Sequence, residues 1–138
     1  MEPVKWKFST KKISPNEYEL VLKAKIDSNW HVYSQDIPDG GPVPTSIKFI
    51  ANKNVEFIGK VEERSKVIKE YDSNFSMVLK FYANEAEFVQ KVKLVGDVDT
   101  IKGTLEFMSC DNKQCLPPKE EEFAFNFNDR PNGTFHYI

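Results

Sequence analysis

Alternation of apolar and polar residues with a period of two is the feature that most constrains the fold of this chain. Residues 17–26 show it best, because every second side chain is apolar: Tyr18, Leu20, Leu22, Ala24 and Ile26. Successive side chains of a strand point to opposite faces of a sheet, so the pattern predicts one buried and one solvated face. The same period recurs at 75–81, 101–107 and 123–127, and shorter candidate strands lie at 4–9, 30–34, 46–50, 55–59 and 86–95.

Eight or nine short strands separated by turn residues predict an all-β, antiparallel sandwich. Only residues 62–70 could pass for a helix, and we interpret that short, charged stretch as a loop. Residues 35–45 are rich in Pro and Gly and predict a long surface loop. We expect residues 1–128 to form one domain and residues 129–138 to be a C-terminal tail or linker.

The composition narrows the function classes. Lys and Arg total 19 against 21 Asp and Glu, for a net charge of −2, and no strongly basic block suggests nucleic-acid binding. No apolar run approaches the roughly 18–20 residues that cross a bilayer. No signal peptide is visible, so an exported protein would have lost its leader. We expect a monomeric domain that is not itself in the membrane.

The only two cysteines, Cys110 and Cys115, stand close together near the C-terminal end. A disulfide between them would contribute roughly 2 kcal/mol by loop closure, because it encloses so few residues. A chain of 138 residues can bury a sizeable core without that help. The pair is therefore a candidate for chemistry.

Strand parity predicts where these cysteines lie. If Leu105 and Phe107 face the core, Met108 and Cys110 face outward at the end of the strand. Pro117 and Pro118 prevent regular ladder pairing until about residue 120. Both cysteines should then lie at a hairpin tip near the surface. This position suits a structural clip or a redox-active dithiol, and spacing alone leaves both open.

The segment from Cys110 to Cys115, followed by Leu116-Pro117-Pro118, resembles the N-terminal periplasmic domain of the DsbD family of thiol:disulfide interchange proteins. Trp30-His31-Val32-Tyr33 and the stretch from Gly59-Lys60-Val61-Glu62-Glu63 to Tyr71 add to the likeness. The resemblance covers about residues 4–127. One departure from the family is the cysteine spacing, since four residues separate the cysteines here and five do in the family.

The resemblance implies an immunoglobulin-like sandwich in the bacterial periplasm. It implies that the disulfide passes electrons between a thioredoxin-like donor domain and periplasmic disulfide partners through transient mixed disulfides. By position, Cys115 would form the mixed disulfide and Cys110 would be the resolving thiol. No cofactor is needed, because the sulfurs carry the electrons.

The resemblance also implies which residues surround the cysteines. His31 and Tyr33 match aromatic positions beside the disulfide, and Leu116 stands where the family can have an aromatic residue; Met108 and Pro117 complete the expected surround. Residues 62–71 match a loop that caps the disulfide, although Arg64 occupies the position of its aromatic residue. Glu62 and Glu63 match acidic positions of that cap, and such carboxylates would raise the thiol pKa values by like-charge repulsion.

Two other readings of the cysteines remain. The chain could be a non-catalytic β-sandwich binding module whose hairpin disulfide is structural. Cys110, Cys115, His31 and His136 would be enough ligands for a zinc ion. Nothing in their spacing supports a metal site, and we expect none. Motifs of classical hydrolases and phosphate-binding glycine loops are missing from the sequence.

Overall fold

A computed structural model describes residues 1–127 and the backbone of residues 136–137. Every regular element in this part of the chain is a β-strand, and no helix there is long and apolar enough to cross a membrane. The strands are β1 (Val4–Ser14), β2 (Glu17–Ile26), β3 (His31–Tyr33), β4 (Ser46–Phe49), β5 (Val55–Glu63), β6 (Ile68–Asp72), β7 (Met77–Ala83), β8 (Glu85–Leu94), β9 (Thr100–Phe107), β10 (Ser109–Cys110), β11 (Lys119–Asn126) and β12 (His136–Tyr137).

The strands pair antiparallel in three sheets. Their orders are β12-β1-β2-β8-β5, β10-β3-β7-β6 and β11-β9-β4. In the first sheet, Leu22 of β2 lies between Phe8 of β1 and Phe88 of β8. The alternation of residues 17–26 thus places a row of apolar side chains on one face of a central strand.

The main core lies where the inward faces of the first and third sheets meet. Phe8 of β1 stacks on Phe123 of β11 with ring centroids 5.5 Å apart, and it meets Phe125 edge-on. Leu20 and Leu105 are fully buried in the same cluster. The fold is the all-β immunoglobulin-like sandwich that the sequence and the resemblance predicted.

The structure differs from the predicted elements at residues 62–70. Glu62 and Glu63 end β5, residues 68–72 form β6, and only residues 64–67 connect the two strands. The period of two fails here because β5 bends at Gly59, whose φ is +69°, and its register on β8 shifts between Ile58 and Glu62. The predicted loop is thus mostly strand.

Two further boundaries differ from the prediction. β1 continues to Ser14, because its second half pairs with β2 while exposing Lys and Ile side chains. Phe75, predicted to begin a strand, lies in the turn before β7. The tail predicted at residues 129–138 falls mainly on residues 129–135 and 138, which lie outside the described residues. The backbone of residues 136–137 pairs with β1.

A second, smaller hydrophobic cluster lies apart from the main core. Its fully buried members are Tyr33, Leu79 and Cys110, from β3, β7 and β10. Val32, the neighbour of Tyr33, is buried in the main core instead. The short strand β3 therefore separates the two clusters, and its His31 and Tyr33 face the cysteines.

Candidate functional site

The two cysteines form a disulfide at the tip of a hairpin. The Sγ atoms are 2.03 Å apart, and the two residues make an isolated antiparallel bridge. The turn between them is organised by Asp111, whose Oδ1 accepts hydrogen bonds from the backbone amides of Lys113 and Gln114, both at 2.8 Å. These two amide bonds also hold the pKa of Asp111 below its usual range. The hairpin predicted from the Cys spacing and the prolines is confirmed.

The predicted exposure of both cysteines is wrong for Cys110, which is 0% exposed. Cys110 does face away from the main core, but that face is covered by the second cluster rather than by solvent. β10 leaves the sheet of β9 and pairs with β3, which brings Cys110 directly opposite His31. Cys115 is only half-buried, so it is the cysteine that a partner can reach.

Aromatic and sulfur-containing side chains surround the disulfide. Phe75, Phe81 and Met108 pack against the cluster that contains Cys110. Tyr33 meets the ring of Phe75 edge-on at 6.1 Å, and the ring of His31 lies 4.5 Å from that of Phe81. The structure therefore brings three predicted surround residues, His31, Tyr33 and Met108, together near the cysteines.

A buried polar triad borders this cluster. The Tyr33 hydroxyl donates to Oδ2 of Asp72 at 2.5 Å, and Nε2 of His31 lies 3.0 Å from the Tyr33 oxygen and 3.4 Å from Oδ2. Burial lowers the pKa of His31, and the negative charge of Asp72 only partly opposes that shift. Burial and the bond to Asp72 raise the pKa of Tyr33. His31 is thus a neutral imidazole at pH 7.

The turn between β6 and β7, residues 73–76, packs on the cysteine hairpin and on the second cluster beside the disulfide. Oδ1 of Asp72 accepts hydrogen bonds from the backbone amides of Asn74 and Phe75 at 2.8 and 3.2 Å. Nδ2 of Asn74 donates to the carbonyl oxygen of Asp111 at 2.8 Å, which fastens the turn to the cysteine hairpin. This contact places Phe75 over the second cluster. Sequence reasoning missed the role of this turn, although Asp-Ser-Asn is a typical turn sequence.

Glu62 and Glu63 make their hydrogen bonds to other groups. Glu62 binds the Arg64 guanidinium, which also forms a bidentate pair with Glu19 of β2 at 3.0 and 2.8 Å. Glu63 accepts bonds from the hydroxyls of Ser34 and Tyr82. In the part of the chain that the structure describes, these hydrogen bonds of the two carboxylates do not involve the cysteines. The like-charge effect on the thiols stays a prediction.

The remaining predicted residues lie beside the hairpin. The backbone amide of Leu116 donates to the Ser109 carbonyl at 2.9 Å and continues the hairpin beyond the disulfide. Leu116 is half-buried and Pro117 is exposed, and both line a small cavity with Val4 and Phe107. Among the side chains described, no group of three or more His, Cys, Asp or Glu is arranged to hold a metal ion.

An immunoglobulin-like domain with a disulfide across a hairpin tip is the class that this fold and site define. The family model of the N-terminal domain of thiol:disulfide interchange protein DsbD matches residues 2–126, and the chain belongs to this family. A search of curated proteins found no match.

Solved structures share the fold at low sequence identity. The reduced DsbD N-terminal domain of Neisseria meningitidis is 20% identical with a TM-score of 0.61, and the match covers 95% of this chain and 89% of that one. The N-terminal periplasmic domain of ScsB from Proteus mirabilis is 16% identical with a TM-score of 0.67, covering 96% of this chain and 50% of that one. A complex between the DsbD and PilB N-terminal domains of Neisseria meningitidis matches at 16% identity and a TM-score of 0.59, covering 96% and 87%.

Proposed function

We propose that this domain carries out thiol–disulfide exchange through Cys110 and Cys115 with thioredoxin-like partners in the bacterial periplasm. The observation that carries the proposal is the unequal burial of the pair, with Cys110 fully buried and Cys115 half-buried. Exchange proceeds by attack of a thiolate on one sulfur, so access decides which sulfur is attacked. A partly accessible Cys115 beside a fully buried Cys110 gives the exchange one entry point.

The oxidised domain would accept electrons in two steps. A partner thiolate attacks Sγ of Cys115, the bond to Cys110 breaks, and Cys110 leaves with the electron pair and takes up a proton. The second partner thiol then loses its proton, and its thiolate attacks the partner sulfur of the mixed disulfide. Cys115 leaves with the electron pair and takes up a proton. Two electrons and two protons reach this domain while the partner forms a disulfide. The reverse sequence passes the electrons on.

The partner would dock on the surface around the hairpin. We place this surface at residues 30–34, 62–72 and 108–118. It includes the turn at 73–76, because that turn packs on the hairpin through Asn74. Family membership and the fold shared with a DsbD domain that forms a complex support docking of another domain here. The periplasmic ScsB neighbour supports the compartment.

Trapping tests the proposal directly. Cys110→Ser leaves Cys115 without its resolving thiol. Incubation with a thioredoxin variant that keeps only its attacking cysteine, activated as a thionitrobenzoate disulfide, should therefore yield a covalent adduct that dithiothreitol releases. The variant lacking both cysteines is the matched control and should give no adduct. Failure of the Cys110→Ser protein to form an adduct with thioredoxin-like proteins would exclude this function.

The burial of Cys110 favours a second candidate, a binding module whose disulfide is a structural clip. Structural disulfides typically have reduction potentials below about −300 mV, and exchange-active ones have higher potentials. A redox titration against glutathione and dithiothreitol buffers therefore separates the two functions. We expect a potential above that boundary.

A further inference from the structure

The buried position of Cys110 creates a chemical requirement that the disulfide alone does not meet. When the reduced domain passes electrons on, Cys115 first forms a mixed disulfide, and the Cys110 thiol must then lose its proton to attack it. A thiol in apolar surroundings has a raised pKa, so few such thiols are ionised at pH 7. Deprotonation of Cys110 needs a base close by.

We propose that His31 is that base and that Asp72 and Tyr33 orient it, an inference that rests on the proposed exchange function. His31 and Cys110 are directly opposite each other in the antiparallel pair of β3 and β10. Residues so placed have Cβ atoms about 4.5–5.5 Å apart and share a face of the sheet. Once the disulfide opens, rotation about the Cα–Cβ bond of Cys110 brings its sulfur toward the imidazole.

The hydrogen bonds around His31 define which ring nitrogen can accept the proton. Tyr33 donates its hydroxyl proton to Asp72, so the Tyr33 oxygen is free to accept from Nε2 of His31 at 3.0 Å. Nε2 therefore carries the ring proton, and Nδ1 has the free lone pair. The carboxylate of Asp72, 3.4 Å from Nε2, stabilises the imidazolium that forms.

The resolving step transfers one proton and exchanges one disulfide bond for another. The proton of the Cys110 thiol moves to Nδ1 of His31, and the thiolate attacks Sγ of Cys115. The bond from Cys115 to the partner sulfur breaks, and the partner thiolate leaves with the electron pair. When electrons enter the domain, the His31 ring relays to the departing Cys110 thiolate a proton that the ring takes up from solvent. His31 thus keeps both directions of exchange available near neutral pH.

Charged groups near the ring favour this role. Asp72 comes from β6, and Asp111 from the hairpin contributes a further negative charge. Glu70 lines the same cavity as His31, together with Tyr71. Negative charges stabilise the imidazolium, while burial keeps the resting ring neutral and able to accept a proton.

The test isolates the resolving step from any protein partner. One equivalent of 5,5′-dithiobis(2-nitrobenzoate) is mixed with the reduced domain, so that Cys115 carries a thionitrobenzoate group. Attack by Cys110 then releases a second coloured thiolate in a phase independent of concentration. In the wild type, we expect the rate of this phase to rise with pH and to level off above the pKa of His31, so that the pH profile bends there. His31→Gln should slow this phase about 100-fold at pH 7, within the range of general base catalysis. The rate of the variant should rise with pH until it equals the rate of the wild type.

Two further variants separate base catalysis from a structural role. Asp72→Asn removes the charge that favours the imidazolium, so the bend in the pH profile should move to lower pH. Phe81→Leu loosens the packing on the ring but keeps the imidazole, so the bend should persist. A His31→Gln protein with the wild-type pH profile would overturn the proposal, as would a bend that Asp72→Asn leaves in place. Failure of the wild type to exchange with thioredoxin would instead reject the proposed function, since the chromogenic step needs no partner.

Discussion

Asn74 fastens the turn between β6 and β7 to the cysteine hairpin, through a hydrogen bond of 2.8 Å from its Nδ2 to the carbonyl oxygen of Asp111. This contact joins segments 37 residues apart in sequence. The turn it holds in place carries Phe75, which packs on the cluster around Cys110. Opening of this contact would expose more of the disulfide without disturbing the main core.

We predict that Asn74→Ala speeds reduction of the disulfide by dithiothreitol. One hydrogen bond contributes about 0.5–1.5 kcal/mol, so the open form should become about two- to thirteenfold more populated, and the rate should rise in proportion. Asn54→Ala is the matched control, because Asn54 donates a similar bond to the Asp97 carbonyl in another loop. Equal rates for Asn74→Ala and the wild type would show that the turn does not control access.

Replacing Glu63 by Gln should change the free energy of unfolding more than the same replacement of Glu62. Glu63 accepts bonds from Ser34, Tyr82 and the backbone amide of Gln35, whereas the Glu62 side chain is half exposed. Glu63→Gln should lower the free energy of unfolding by about 1–3 kcal/mol, because an amide cannot accept all these bonds. Glu62→Gln should change it by less than about 0.5 kcal/mol. Urea denaturation measures both.

The same two substitutions together test the like-charge effect expected from the sequence. If Glu62 and Glu63 repel the thiolate, replacing both by Gln should lower the pKa of the Cys115 thiol. Titration of thiolate absorbance in the reduced protein measures this pKa. An unchanged pKa would exclude repulsion by the carboxylates.

Arg64→Gln should destabilise the protein at neutral pH by about 1 kcal/mol, since Arg64 is partly exposed and solvent weakens the pair. Hydrogen bonds from Arg64 lower the pKa of Glu19 below its ordinary value of 4.5. A lowered carboxyl pKa contributes stability that is complete above the ordinary value and is lost as pH falls through the folded value. The difference in unfolding free energy between the wild type and Arg64→Gln should therefore decrease below about pH 4.5.

Unfolding free energies at pH 7 and pH 3 check this dependence. Lys23→Gln serves as the control, because Lys23 pairs with Glu85 at 3.7 Å on the exposed surface, and its effect should be near zero at both values. A difference between wild type and Arg64→Gln that is as large at pH 3 as at pH 7 would show that packing of the Arg64 stem, and not the charge, is responsible.

The sequence predicted the strands best where one face is buried and the other is wet. β2 has this pattern over ten residues, and its predicted bounds agree with the structure. β6 lacks this pattern, because it is an edge strand in which only Asp72 is buried. Without a buried face, nothing in its composition distinguishes a strand from a charged loop.

The site could be predicted only in its local part. The cysteine hairpin depends on residues close in sequence, so spacing and prolines were enough to predict it. The burial of Cys110 depends on Tyr33, Leu79 and Phe75, which come from distant segments. Asp72 resembles an ordinary turn residue in sequence, and only the folded chain brings its carboxylate to the Tyr33 hydroxyl.

The packing of the third sheet on β1 should be sensitive to Gly103. This residue of β9 lies between Phe49 of β4 and Phe123 of β11 in the register of the sheet. A Cβ at Gly103 would lie 2.3 Å from the Lys48 carbonyl oxygen and 2.5 Å from Cζ of Phe123. Gly103→Ala should therefore lower the free energy of unfolding by about 1–3 kcal/mol through overpacking. Thr104→Ala, at the next and half-buried position, should cost less than about 0.5 kcal/mol. Urea denaturation of both proteins measures the difference. Similar midpoints would mean that the backbone of β4 shifts to accommodate the added methyl group.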